Sequence, residues 1–168
     1  MKSLKFGIYT VAGALVLLLI LSAGPALAQD ESCQYCGMQK AKFGHSWVVV
    51  EQEDGSKAGL CSVHCAAIHM ALNIDKPVAK VAVGDYNSKK LIDADKAYFV
   101  IGGDKMGVMT TRAKWAFETK DAADKFMAES GGRPATYQEA VKAAFEDMYE
   151  DTLMIQKKRK MMKMHKMQ

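Results

Sequence analysis

The sequence predicts an α+β fold: two similar small strand-strand-helix units, the first of them treble-clef-like, followed by a C-terminal helix. Three observations carry that expectation. All four cysteines fall in two close pairs, Cys33-Gln34-Tyr35-Cys36 and Cys61-Ser62-Val63-His64-Cys65, separated by 24 residues, which is room for one hairpin. Short β-branched and aromatic runs are followed, twice, by a segment of helical period. A third helical pattern begins at Thr136, beyond the break Gly131-Gly132.

Residues 1–28 read as an export signal, with Lys2 and Lys5 ahead of an apolar run and Ala26-Leu27-Ala28 as a small-residue cleavage site. The competing reading is an uncleaved N-terminal membrane anchor, since the run approaches the roughly 17 residues that span a bilayer. No cysteine ends the run to take a lipid, so a periplasmic, soluble exported chain is expected. The remaining 140 residues suffice for a core without obligatory disulfides. Without Lys2 and Lys5 the charge is 21 basic against 19 acidic residues, and six of the basic ones lie between Lys157 and Lys166. The basic character therefore belongs to the tail. Export and the tail's lack of aromatic residues argue against nucleic acid and for an acidic partner or an anionic membrane surface.

In order along the chain, residues 29–75 form a cysteine-rich first unit. The knuckle is followed by a strand over 45–50, a turn at Asp54-Gly55, a returning strand over 57–61, and a helix from Ser62, its expected cap, to about Leu72. Residues 76–150 form the second unit. Residues 78–83 alternate as a strand, 86–90 is a polar turn, 97–101 and 114–118 are strands, and a helix opens at Thr119 or Lys120 and stops at Gly131-Gly132. The helical pattern from Thr136 runs into a Met/Lys-rich tail, 151–168, whose low complexity predicts fraying.

A Cys-x-x-Cys turn lets two thiolates converge on one ion, and a second pair one helical turn apart can close a tetrahedral site. Thiolates alone suit zinc and Cu(I) alike. Thioethers are soft and neutral, which zinc seldom recruits and Cu(I) does, so Met38 beyond the flexible Gly37, with Met106 and Met109 in a Gly-rich segment, favours copper. His64 beside Cys65 is a further candidate; five positions separate it from His69, so the two do not share a face. His45, ahead of a strand, reads as a solvated or capped histidine, and Met70 and Met127 as core. A pair of structural disulfides is the alternative in an oxidising compartment. A thioredoxin-like exchanger is disfavoured, because no strand precedes the motif and a hairpin follows it.

Taken in order, Cys33-Gln34-Tyr35-Cys36-Gly37-Met38, Leu60-Cys61-Ser62-Val63-His64-Cys65, Val83-Gly84-Asp85-Tyr86, Leu91-Ile92-Asp93-Ala94, Ala97-Tyr98-Phe99-Val100, Lys105-Met106-Gly107 and Trp115-Ala116-Phe117 resemble the NosL family over about residues 33–141. The resemblance implies accessory proteins of nitrous-oxide reductase assembly that carry Cu(I), on a fold related to organomercurial lyase. It implies Cys36, Met38 and Met106 as the leading ligands, with Cys65 matching the cysteine after the hairpin. Cys33, Cys61 and Cys65 are then further ligands or a redox-controlled pair. Many family members are lipoproteins; this chain lacks the lipid-bearing cysteine, and its methionine-rich tail departs from the family pattern.

The expected function is a periplasmic Cu(I) chaperone with no catalysis of its own, delivering to a metalloenzyme such as nitrous-oxide reductase, with membrane assembly machinery as a further partner. The alternatives are a structural zinc module and a thiolate-based carbon-metal lyase, for which Asp85 or Asp93 would have to supply a proton.

Overall fold

The computed structural model describes residues 31–167, so the expected signal and its cleavage point lie outside the described residues. Among the described residues no helix is long and apolar enough to cross a membrane. The chain forms two small antiparallel sheets, three longer helices and a short one, as the α+β expectation requires.

The knuckle closes on itself: Cys33 N–H donates to Met38 O at 2.8 Å and Gly37 N–H to Cys33 O at 2.8 Å, with Gly37 at φ 75°, a conformation that glycine adopts without steric cost. Helix α1 (Lys40–Phe43) and a 3-10 turn (Gly44–Ser46) follow. The strand expected from residue 45 therefore begins later, as β1 (Val48–Gln52). The turn wins because Ser46 donates its hydroxyl to Phe43 O at 3.2 Å and Cys61 O at 2.7 Å, while Trp47 N–H reaches back to Gly44 O at 3.3 Å. Gly84 permits this seat, since a Cβ there would lie 1.9 Å from Gly44 O.

The hairpin of β1 with β2 (Lys57–Leu60) sets Val48 opposite Leu60 and Val50 opposite Ala58. It delivers Cys61 to the end of a strand and Cys65 to the first turn of α2 (Val63–Leu72). Ser62 occupies the N-cap position in an extended conformation, but its side chain makes no cap bond. Its hydroxyl lies 3.8 Å from Cys61 Sγ instead, so the expected cap faces the sulfurs.

The boundary expected at 75/76 is not a break between sheets. β3 (Val78–Gly84) pairs with β1, Val48 facing Val83, and carries β4 (Leu91–Asp93) on its other edge, giving the order β2-β1-β3-β4. The valines of β1 and β3 bury a common face only in that pairing, which outweighs proximity in sequence. The second sheet, β6-β5-β7, comprises β5 (Tyr98–Ile101), β6 (Lys114–Phe117) and β7 (Arg133–Ala135). Helix α3 (Lys120–Ser130) lies between β6 and β7, with Thr119 accepting from Ala122 N–H and Gly131 ending it at φ 74°.

The sheets are joined where Tyr86 N–H donates to Ala116 O at 2.8 Å and Asp85 accepts from Glu118 N–H at 2.9 Å. Around that seam Tyr86 packs against Trp115, Phe117 and Phe126 with ring centroids 5.0 to 5.5 Å apart. The core runs through both sheets, and Leu60, Phe99 and Phe117 are fully buried in it, each contributing roughly 1.5–3 kcal/mol by removal from water.

Helix α4 (Tyr137–Lys166) is 30 residues long. Over the described part of the tail, where fraying is expected, the chain continues as helix to Lys166. A capping box of Thr136 and Glu139 opens the helix, and Lys163, His165 and Lys166 in its last turn complement the negative end of the helix dipole. The Met, Lys, Arg and Gln between them are good helix formers.

Candidate metal centre

The sequence brings the two cysteine pairs to one point by placing the first on the knuckle and the second across a strand-to-helix turn. Cys33, Cys36, Cys61 and Cys65 offer sulfurs that all lie within 4.8 Å of one another. Cys36 Sγ is 3.3 Å from Cys61 Sγ, which is 3.5 Å from Cys65 Sγ. The four are free thiols, and the closest contact runs between the pairs, so this is not the arrangement of a Cys33–Cys36 and a Cys61–Cys65 disulfide. Sulfurs about 2.3 Å from a common ion, as in tetrahedral thiolate sites, sit at comparable mutual separations, so the donor set fits one soft or borderline metal.

Burial divides the four. Cys33, Cys61 and Cys65 are at most 2% exposed, whereas Cys36 is half-buried. The neighbouring Cys61 and Cys65 thiols hold the Cys33 pKa far below the ordinary thiol range. Hydrogen bonding to Cys33 and burial push Cys61 and Cys65 upward, and burial is the main cause of the rise at Cys36. Loading a metal onto the set therefore displaces protons.

The knuckle is braced from α2. His69 Nδ1 lies 2.9 Å from the Gln34 amide nitrogen and 3.0 Å from the Tyr35 hydroxyl. Burial, aided by Lys76, lowers the His69 pKa and favours the neutral ring. His69 thus holds the two residues between Cys33 and Cys36, a role its sequence position does not announce.

Cys36 also opens onto a groove of about 480 Å³. Met38, His45, Met106 and Met109 line it from the knuckle, the 3-10 turn and the β5–β6 loop, and Met154 and Met162 from α4. The expected ligands Cys36, Met38, Met106 and Met109 therefore share one space, and Met106 is 78% exposed within it. His45, read from sequence as solvated, is half-buried against Phe43, Tyr86 and Trp115, and burial with Lys89 nearby lowers its pKa. The aromatic residues around His45 in the sequence were the available signal.

His64 is not part of the site. Its ring is 1% exposed and its Nδ1 lies 3.2 Å from Asp151 Oδ2, on the face of α2 turned to α4 rather than to the sulfurs. Asp151, fully buried, also accepts from Thr111 N–H at 3.0 Å. Nearby, Lys114 Nζ donates to Asp147 at 2.6 Å and Arg112 pairs with the same carboxylate at 2.8 Å. These bonds fasten α4 to the loop that carries Met106 and Met109. Among the described residues no carboxylate joins the sulfur cluster. At Asp85, burial works to raise the pKa, but the N–H groups of Ser88 and Glu118 outweigh it and hold the group ionised.

Among solved structures, the chain is similar to the copper chaperone NosL from Shewanella denitrificans, at 23% identity and a TM-score of 0.55 over 69% of this chain and 93% of that one, a likeness of fold. The solution structure of the apo-NosL protein from Achromobacter cycloclastes matches at 25% identity and a TM-score of 0.39, over 54% of this chain and 82% of that one. No curated protein matches the chain. The sequence model of the NosL family matches residues 25–145, which hold the knuckle, both sheets and the start of α4, and the chain belongs to that family.

Proposed function

We propose that the protein is an exported Cu(I) carrier that takes up the ion through soft ligands and passes it to a metalloenzyme. Nitrous-oxide reductase is the recipient the family resemblance favours. The observation that carries this reading is the double position of Cys36, a member of the four-sulfur cluster that also faces a methionine-lined groove open to solvent. A buried cage alone would keep its ion. A thiolate beside neutral thioethers can exchange it, because an incoming sulfur can bind before an outgoing one leaves, with copper remaining Cu(I) throughout. Cys36, Met38 and Met106 are the exchange ligands in this scheme, with Met109 beside them, and Cys33, Cys61 and Cys65 the support behind. The description of the Shewanella protein as a copper chaperone agrees with it. Catalysis has no part in the scheme. The basic end of α4 suits an acidic partner surface or a membrane-bound assembly complex.

Replacing Met38 and Met106 together by leucine is expected to weaken Cu(I) binding at least tenfold in competition with a chromophoric Cu(I) chelator. Unchanged affinity removes them as ligands.

A second reading, a structural zinc module, draws on the near-complete burial of Cys33, Cys61 and Cys65. Metal analysis of anaerobically purified protein with Cu(I) competing against Zn(II) separates the two. Displacement of zinc by Cu(I) supports the carrier, and zinc retained against excess Cu(I) supports the module.

A further inference from the structure

We infer that helix α4 supplies two further Cu(I) ligands, Met154 and Met162, soft sulfurs spaced along the groove wall opposite the knuckle, about 12 Å apart along the helix axis. This rests on the Cu(I) reading above and extends it beyond residue 145, where the family match ends.

The spacing selects these two from the tail's methionines. Residues 154, 158 and 162 recur every four positions, and 155 and 159 lie beside them, so Met154, Ile155, Lys158, Arg159 and Met162 share one helix face, and all five line the groove with Cys36, Met38 and Met106. Met161, Met164 and Met167 are exposed and do not line it. The helix is held in place one turn earlier, where Asp147 binds Arg112 and Lys114 and Asp151 binds His64 and Thr111. Met154 lies three residues beyond Asp151. The same bonds position the loop bearing Met106, so both walls of the groove are fixed by one set of contacts.

Met154 is half-buried, but packing does not account for Met162 or Met106. Methionine fills irregular gaps in cores, but Met162 is 58% exposed and Met106 78%, so neither removes much apolar surface from water. A space of about 480 Å³ is many times the roughly 30 Å³ share of one water molecule, and it leaves room for a donor or acceptor sulfur beside the ion.

The charges on the same face select among metals. One thiolate and neutral thioethers around Cu(I) make a complex without net charge, which Lys158 and Arg159 do not repel. A divalent ion on the same ligands keeps a positive charge and is opposed by both. The helix therefore contributes soft ligands and a bias against zinc from the same two turns.

The test compares three variants of the mature chain by Cu(I) titration against bathocuproine disulfonate, with sulfur scattering counted by X-ray absorption of the loaded protein. Met154→Leu/Met162→Leu is expected to lower Cu(I) affinity about tenfold and to reduce the sulfur count, while Met161→Leu/Met164→Leu leaves both unchanged. Leucine preserves volume and helix propensity, and thermal unfolding of the metal-free variants checks that the fold persists. Unchanged affinity and sulfur count in Met154→Leu/Met162→Leu overturn the inference, as does an equal loss in Met161→Leu/Met164→Leu. If Met38→Leu/Met106→Leu still weakens binding in that case, only the role of α4 falls. If it does not, the carrier reading falls as well.

Discussion

Replacing Cys36 by serine is expected to weaken Cu(I) binding at least a hundredfold, equivalent to about 2.8 kcal/mol. The substitution exchanges a soft, ionisable sulfur for a hard hydroxyl that stays protonated, and it does so at the position shared by the sulfur cluster and the groove. Serine at Cys33, Cys61 or Cys65 would also place a hydroxyl in a buried site and confound binding with folding. Cys36 is half-buried, so a hydroxyl there can remain hydrated, and the metal-free variant should unfold within about 0.5 kcal/mol of the parent. Chelator competition measures the affinity and urea unfolding the stability. A loss of less than twofold would mean that copper is held elsewhere.

The second large effect is expected at Asp151, far from the sulfurs in sequence. Asp151→Ala removes the acceptor of His64 Nδ1–H, which is buried where water cannot replace it, and of the part-buried Thr111 N–H. Burial lowers the His64 pKa and keeps the ring neutral, so the loss is that of buried hydrogen bonds, roughly 1–3 kcal/mol for the imidazole left unsatisfied, a sizeable share of the stability of a domain of this size. Urea unfolding should show that loss as a lower midpoint, and Asp151→Asn, which keeps one acceptor oxygen, should lose less. A change below about 1 kcal/mol for Asp151→Ala would show that the contact does not fasten α4.

Local chemistry made much of the fold legible. The cysteine spacing, Asp54-Gly55, Thr119 and Gly131-Gly132 each act within a few residues, and the knuckle, the hairpin and helices α2 and α3 stand where those signals put them. Strands β4 and β7 have three residues each, too few to display an alternation, and exist because β3 and β5 offer them free edges. The placement of β3 was hidden for another reason: its partner β1 precedes it by a hairpin and a helix, and either sheet would accept alternating valines.

The site divides along the same line. Soft-ligand type beside glycine marked Met38 and Met106, the family resemblance set Cys36 with them, and the structure brings all three to one groove. The convergence of all four sulfurs and an exposed groove coexist because Cys36 belongs to both. His64 misled because adjacency to Cys65 suggests a ligand, while its partner Asp151 lies 87 positions away. Met154 and Met162 were indistinguishable from their neighbours until the helix fixed which face meets the groove.

The bonds by which the knuckle closes on itself, Cys33 to Met38 and Gly37 to Cys33, bear on the carrier role proposed above. They are made by the main chain, and the core behind them is built from Trp47, Leu60, Phe99 and Phe117. Folding therefore draws its free energy from apolar packing and does not wait for an ion, unlike small zinc domains that unfold when stripped. A protein built this way can surrender its cargo, keep its shape, and be charged again, so one molecule can serve many rounds of delivery.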